Sequence, residues 1–182
     1  MTKAMHLFLF GAEGSGRHTI AKILQTKYNF KSFFIDEAIK KEAARLFNTA
    51  PQNYDEIWKF SELAREIRSS VWIDLLIKKI TNVQGNIVVP DIRFHIEYSQ
   101  LSSQGYIPIR VFADNVTRRN RLQERDGGLS VLTAMPREGL LNIDNCITPY
   151  MINNSGDINT GLLPEVDRVI SMLGGRLSTT LT

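Results

Sequence analysis

Residues 7–24 read LFLFGAEGSGRHTIAKIL. Four apolar residues, Leu7–Phe10, run directly into a loop carrying Gly11, Gly14 and Gly16. A helical pattern begins at once with Thr19, Ile20 and Leu24. Strand, glycine loop and helix in that order is the context in which main-chain N–H groups wrap a phosphate and a helix N-terminus faces it. Against G-x-x-x-x-G-K-[ST], Arg17 stands in the lysine position, His18 in the hydroxyl position, and Thr19 follows one residue later. Arginine keeps the charge but presents a wide planar fork. Gly11, Gly14, Ser15, Gly16, Arg17, His18 and Thr19 are therefore the expected phosphate-binding residues. The competing reading is a glycine-rich turn without a ligand.

Outward from this loop, strand-like and helix-like segments alternate to the end of the chain, which predicts an α/β fold around a mainly parallel sheet. The expected strands are 6–10, 31–35, 86–89, 107–112 and 150–153. The expected helices are 19–28, 36–47 with Asp36 as cap, 61–80, 95–103, 116–124 and 163–173. The stripe Leu63, Ile67, Val71, Leu75, Ile80 joins 61–80 into one amphipathic helix, while 53–60 reads as a short helix or ordered loop. No repeat or linker divides the chain. Residues 1–173 form one expected domain, and 174–182 an expected flexible tail.

Two further stretches carry chemistry. In NIVVPDIRFHIEYSQL (86–101), an apolar strand ends at Asp91, at the sheet edge where ligands of α/β folds bind. Asp91 is a candidate to hold a magnesium-bound water or to meet a substrate, with Arg93 and Glu97 close behind. A helix cap at Asp91 and a surface pair of Arg93 with Glu97 are the plainer readings. In DNVTRRNRLQERDG (114–127), Arg118, Arg121 and Arg125 share one helical face, an arrangement suited to polyphosphate. A solvated charged face is the alternative.

DIRFHIE (91–97) is similar to the D-x-R-F-x-x-E signature of the bacteriophage-type deoxynucleoside monophosphate kinases, and GRHT (16–19) resembles their phosphate loop apart from Arg17. VWIDLLIKKI (71–80) and YMINNSGDINTGLLPEVDRVI (150–170) resemble that family's aromatic-acidic helix and its closing strand, Asn turn and helix. Residues 48–60 and 129–149 have no counterpart. The resemblance implies a three-layer P-loop NTPase fold of nucleoside monophosphate kinase type, with a helical lid at about residues 114–138. It implies ATP as donor, Mg²⁺ held through Thr19 and Asp91, and transfer to a deoxynucleoside 5′-monophosphate. Arg17, Asp91, Arg93, Arg118, Arg121 and Arg125 would then be catalytic. Asp36, Arg65, Arg68, Asp91, Arg93 and Glu97 would form the acceptor site, although Arg65 and Arg68 could equally pair with Glu62 and Glu66. Two alternatives stay open: a nucleotide-binding P-loop protein that has lost efficient transfer, motivated by Arg17, and a related small-molecule kinase of the dephospho-coenzyme A kinase type.

Composition narrows the classes. The chain has 182 residues, 43% hydrophobic and 23% charged, enough for one substantial core and ordinary for a globular domain. Lys plus Arg at 22 against Asp plus Glu at 19 gives +3, and no basic patch alternates with aromatics, which argues against a nucleic-acid partner. A single cysteine, Cys146, cannot form an internal disulfide, so a cytoplasmic setting is expected. No apolar run is long enough for a membrane span. The expected partner is a small-molecule nucleotide, and the family resemblance allows a homodimer.

Overall fold

The structure is a computed structural model that describes residues 4–50, 52–126 and 140–179, with the backbone alone for 126 and 175–179. Its strands are β1 (His6–Phe10), β2 (Lys31–Ser32), β3 (Ile87–Ile92), β4 (Ile107–Phe112) and β5 (Met151–Asn153). Its helices are α1 (Arg17–Tyr28), α2 (Ile35–Phe47), α3 (Tyr54–Ile67), α4 (Val71–Ile80), α5 (His95–Ser103), α6 (Asn115–Asp126) and α7 (Leu163–Thr179). The strands form one sheet in the order β2-β3-β1-β4-β5, and every pairing is parallel. The α/β expectation therefore holds.

β1 shows why this chain needs three layers. Side chains alternate across a strand, and both faces of β1 are apolar. Phe8 and Phe10 pack with residues of α2, α4 and α5 on one face, while Leu7 and Leu9 pack with α1 and α7 on the other. All four side chains are completely buried. β1 lies at the sheet's centre, so the loop that follows it emerges at the middle of the sheet's carboxyl edge.

Several boundaries differ from expectation. β2 ends at Ser32 and not at 35, because Ile35 already opens α2, and 53–60 joins the longer α3. β3 continues through Pro90 and Asp91 to Ile92. Proline supplies no ladder N–H, but β2 pairs with β3 only at Ile87 and Val88, and the register with β1 shifts between Phe8 and Phe10. Pro90 sits where no partner requires its missing donor.

The helix expected over 61–80 is instead the end of α3 and all of α4. Arg68 between them is extended, at φ −151° and ψ 106°, and the break resets the helical phase. Leu63 and Ile67, members of the apolar stripe, are 59% and 89% exposed, while Trp72, Ile73, Leu76 and Ile80 fill the interior. The Trp72 indole N–H donates to Ser61 O at 3.1 Å, which fixes the angle between the two helices.

At the other end, α7 runs to Thr179, past the expected stop at Leu173. Glycine weakens a helix but ends it mainly by taking positive φ, and Gly174 does not. Residues 180–182 of the expected tail lie outside the described residues. Among the described residues no helix is long and apolar enough to cross a membrane.

Candidate active site

The loop between β1 and α1 is shaped by what surrounds it. A Cβ on Gly11 would stand 2.2 Å from Val111 O of β4, so only glycine lets the chain leave the sheet here. Gly16 has φ +91°, and a Cβ there would meet Asn154 Nδ2 at 2.1 Å. Inside the loop, Ser15 N–H donates to Ala12 O at 3.1 Å. Among the described residues, the main-chain N–H groups of Gly14, Gly16, Arg17 and His18 have no protein acceptor. Open amides at a helix N-terminus make a cradle for an anion. The Ser15 hydroxyl oxygen is also buried without a partner.

Arg17 leaves this loop for the end of β3. Its side chain is buried, and Nη1 donates to Ile92 O at 2.6 Å. Burial, followed by the charge on Arg93, lowers its pKa to about 10, while Asp91, Asp36 and Glu13 act in the opposite direction. It therefore keeps its charge at neutral pH. A cavity of about 130 Å³ opens beside it, lined by Glu13, Arg17, Arg93, Leu140 and Leu141 among others. At roughly 30 Å³ per water, that is room for an anionic group and some solvent.

The cavity floor is the carboxyl end of β3. Asp91 is 2% exposed, and its Oδ2 accepts the N–H of Asp36 at 2.9 Å. The cap it provides belongs to α2, across the sheet edge, and not to the helix that follows it. Asp36, expected as the α2 cap, instead lies in that helix's first turn. Asp91 Oδ1 is buried with no partner. Desolvation, then the neighbouring charge of Asp36, raises the Asp91 pKa to about 7. Arg93 Nη2 meets Asp36 Oδ2 at 3.1 Å.

Glu97 Oε2 accepts the main-chain N–H groups of Arg93 and Phe94 at 2.9 and 3.0 Å, capping α5 and holding the segment that presents Arg93. Its other oxygen is 3.7 Å from Arg65 Nη2. The plainer reading of Arg93 and Glu97 as a surface pair is thus replaced by buried bonds from Glu97 to backbone. Burial raises the pKa of Glu97.

The remaining acceptor candidates separate. Arg65 lies over the Phe94 ring at 4.1 Å and pairs with Glu62 at 2.8 Å, so it borders the site with its charge already matched. Arg68 is 69% exposed at its side chain and pairs with Asp74 at 2.6 Å. The structure does not bring it to Asp91, because the break at Arg68 turns it outward. His18 stacks on Phe34, with ring centroids 5.2 Å apart; partial desolvation and then the Arg17 charge lower its pKa.

α6 delivers its arginines onto the loop. Asp114 caps the helix, accepting from Thr117 N at 2.8 Å. Arg118 Nε donates to Glu13 O at 2.8 Å, Arg121 Nη1 to Gly14 O at 3.4 Å, and Arg125 Nη2 to Glu13 Oε1 at 2.9 Å. The shared face read from the spacing is the face that meets the loop. Of the expected lid at 114–138, residues 127–138 lie outside the described residues.

Chains of known structure share this fold over nearly their whole length. A gluconokinase from Sinorhizobium meliloti 1021 superposes with a TM-score of 0.64 at 11% identity, with 98% of each chain covered. A shikimate kinase from Bacteroides thetaiotaomicron superposes at 0.57 and 13%, covering 94% of this chain and 99% of that one. The fold is that of the P-loop kinases. A sugar kinase from Janibacter sp. HTCC2649 adds a TM-score of 0.53 at 15% identity, covering 94% and 95%. No protein-family model and no curated protein matches the chain. At such identities the P-loop kinase likeness establishes the fold, and the reaction has to be argued from the residues.

Two site residues were missed in the sequence. Asn154 donates from Nδ2 to Ser15 O at 2.8 Å, although 139 residues separate them. Only the Asn turn after the last strand hinted at it. Glu13, a loop position with no motif constraint, lines the cavity and pairs with Arg125.

Proposed function

We propose that this chain is a kinase that transfers the terminal phosphoryl group of ATP to a small anionic acceptor, a deoxynucleoside 5′-monophosphate by the resemblance of its DIRFHIE stretch. The observation that carries the reading is that Arg17 and Arg93 line one cavity at the sheet's carboxyl edge, beside a loop with open amides whose outward carbonyls are held by Arg118 and Arg121 of α6.

Such a transfer requires positioning and charge compensation more than covalent chemistry. The loop amides and the N-terminus of α1 bind the donor phosphates. Arg17 and Arg93 face the space where an acceptor anion sits. An acceptor phosphate oxygen is already an anion, so it forms the new P–O bond as the bond to the departing ADP oxygen breaks, with no proton to remove. Asp36 holds Arg93, and Glu97 fixes the backbone that carries it. Magnesium that arrives with the donor needs only one or two protein oxygens. The exposed Thr19 at the start of α1 and the partnerless Oδ1 of Asp91 are the candidates here. When bound, the ion would neutralise phosphate charge.

A second reading rests on Arg17, whose guanidinium is already engaged with Ile92 O. It makes the protein a nucleotide binder without efficient transfer. An ADP-release assay with Mg²⁺ separates the two. It should be run with the four common deoxynucleoside monophosphates, their ribose counterparts, gluconate and shikimate. Turnover with a deoxynucleotide is the expected result. Turnover with gluconate or shikimate alone would move the chain to the related small-molecule kinases. No turnover by the natural chain, with activity gained in Arg17→Lys, would establish the binder.

A further inference from the structure

Three consecutive carbonyls of the phosphate loop point out of it. Glu13 O accepts from Arg118, Gly14 O from Arg121, and Ser15 O from Asn154 Nδ2. In a trans peptide, C=O and the following N–H point in opposite directions. Holding those carbonyls outward therefore turns the N–H groups of Gly14, Ser15 and Gly16 inward. The Ser15 N–H is satisfied by Ala12 O. Those of Gly14 and Gly16 have no protein acceptor among the described residues.

Asn154 is the neutral member of this set and the most firmly placed. It is 2% exposed, and its own main-chain N–H donates to Phe112 O at 2.7 Å, anchoring it to the end of β4. Its side-chain amide fills the space that a Cβ at Gly16 would occupy. At 2.8 Å its bond to Ser15 O lies within the ordinary range, whereas Arg121 reaches Gly14 O and Asn154 Oδ1 only at 3.4 Å. The Ser15–Gly16 peptide is thus oriented mainly by Asn154.

We propose that Asn154 is a positioning residue of the donor site: by holding the Ser15 carbonyl it keeps the Gly16 N–H facing the donor phosphates. This rests on the phosphate-loop reading above. An arbitrary buried strut would support the fold and affect both substrates alike. A peptide-orienting amide affects the donor alone.

The test is Asn154→Asp, which keeps size and shape but sets an acceptor against the Ser15 carbonyl. Calorimetry with a non-hydrolysable ATP analogue should show binding weakened by about tenfold, the scale of one buried hydrogen bond, while the acceptor KM of the variant stays within about twofold of the natural chain. An analogue that binds the variant and the natural chain equally would overturn the role of Asn154 and leave the loop reading intact. An analogue that does not bind the natural chain would overturn both. If the variant does not fold, the natural chain decides by NMR: the Gly16 amide resonance moves on adding the analogue if the proposal holds. A Gly16 amide unmoved at saturation overturns it.

Discussion

Arg121→Ala should lower kcat by about 10³-fold, the lower end for an arginine that meets a transferring phosphoryl group, while the fold survives. The three α6 arginines are not equivalent. Arg118 is tied to Glu13 O at 2.8 Å and Arg125 to the Glu13 carboxylate at 2.9 Å. Arg121 is held loosely, at 3.4 Å, by two neutral oxygens. A phosphate oxygen is a charged acceptor, and bonds to ions are roughly twice as strong as neutral ones. On the kinase reading, donor binding would draw Arg121 to the phosphates more readily than its neighbours. Arg118→Ala should act mainly on the donor KM, since its present bond shapes the loop. Arg121→Lys restores charge without the fork and should recover only part of the rate. The coupled ADP assay on purified, folded variants measures these. An Arg121→Ala enzyme within about threefold of the natural kcat would remove α6 from the chemistry.

Asp91→Asn should stabilise the chain in alkaline solution. Burial and then the Asp36 charge push the Asp91 pKa up from the ordinary 3.8 to about 7 in the folded chain. Folding thus favours the protonated carboxyl. Its contribution to stability is complete below about pH 4 and is lost as the pH rises through 7. Asparagine keeps an oxygen for the Asp36 N–H and carries no charge. Urea unfolding at pH 8.5 should favour the variant clearly, and at pH 5 by much less. A variant less stable than the natural chain at pH 8.5 would show that the Asp91 charge is compensated by Arg17 and Arg93.

The sequence disclosed those parts of the site that depend on local spacing. Gly11, Gly14 and Gly16 between an apolar strand and a helix could be read because the backbone demands glycine there. Arg118, Arg121 and Arg125 could be read because three- and four-residue steps put them on one face. The phase reset at Arg68 was hidden, since Leu63, Ile67, Val71 and Leu75 keep a perfect helical period across a break. What betrays the break is the buried Trp72 bonded back to Ser61. Asp91 was recognised as important, but its partner at the start of α2 is 55 residues away. Asn154 and Ser15 are further apart still, and only the packing of β5 beside β4 brings them together. Long-range polar contacts of this kind leave no periodic trace.

The amides from Gly11 to Thr19 are expected to enclose the donor's phosphates. A crystal structure of the chain with an ATP analogue and Mg²⁺ tests this most directly. The β- and γ-phosphate oxygens should lie within hydrogen-bond distance of the Gly16 and Arg17 amides, with Ser15 O still on Asn154. An analogue bound elsewhere, with the loop closed on its own side chains, would contradict the account.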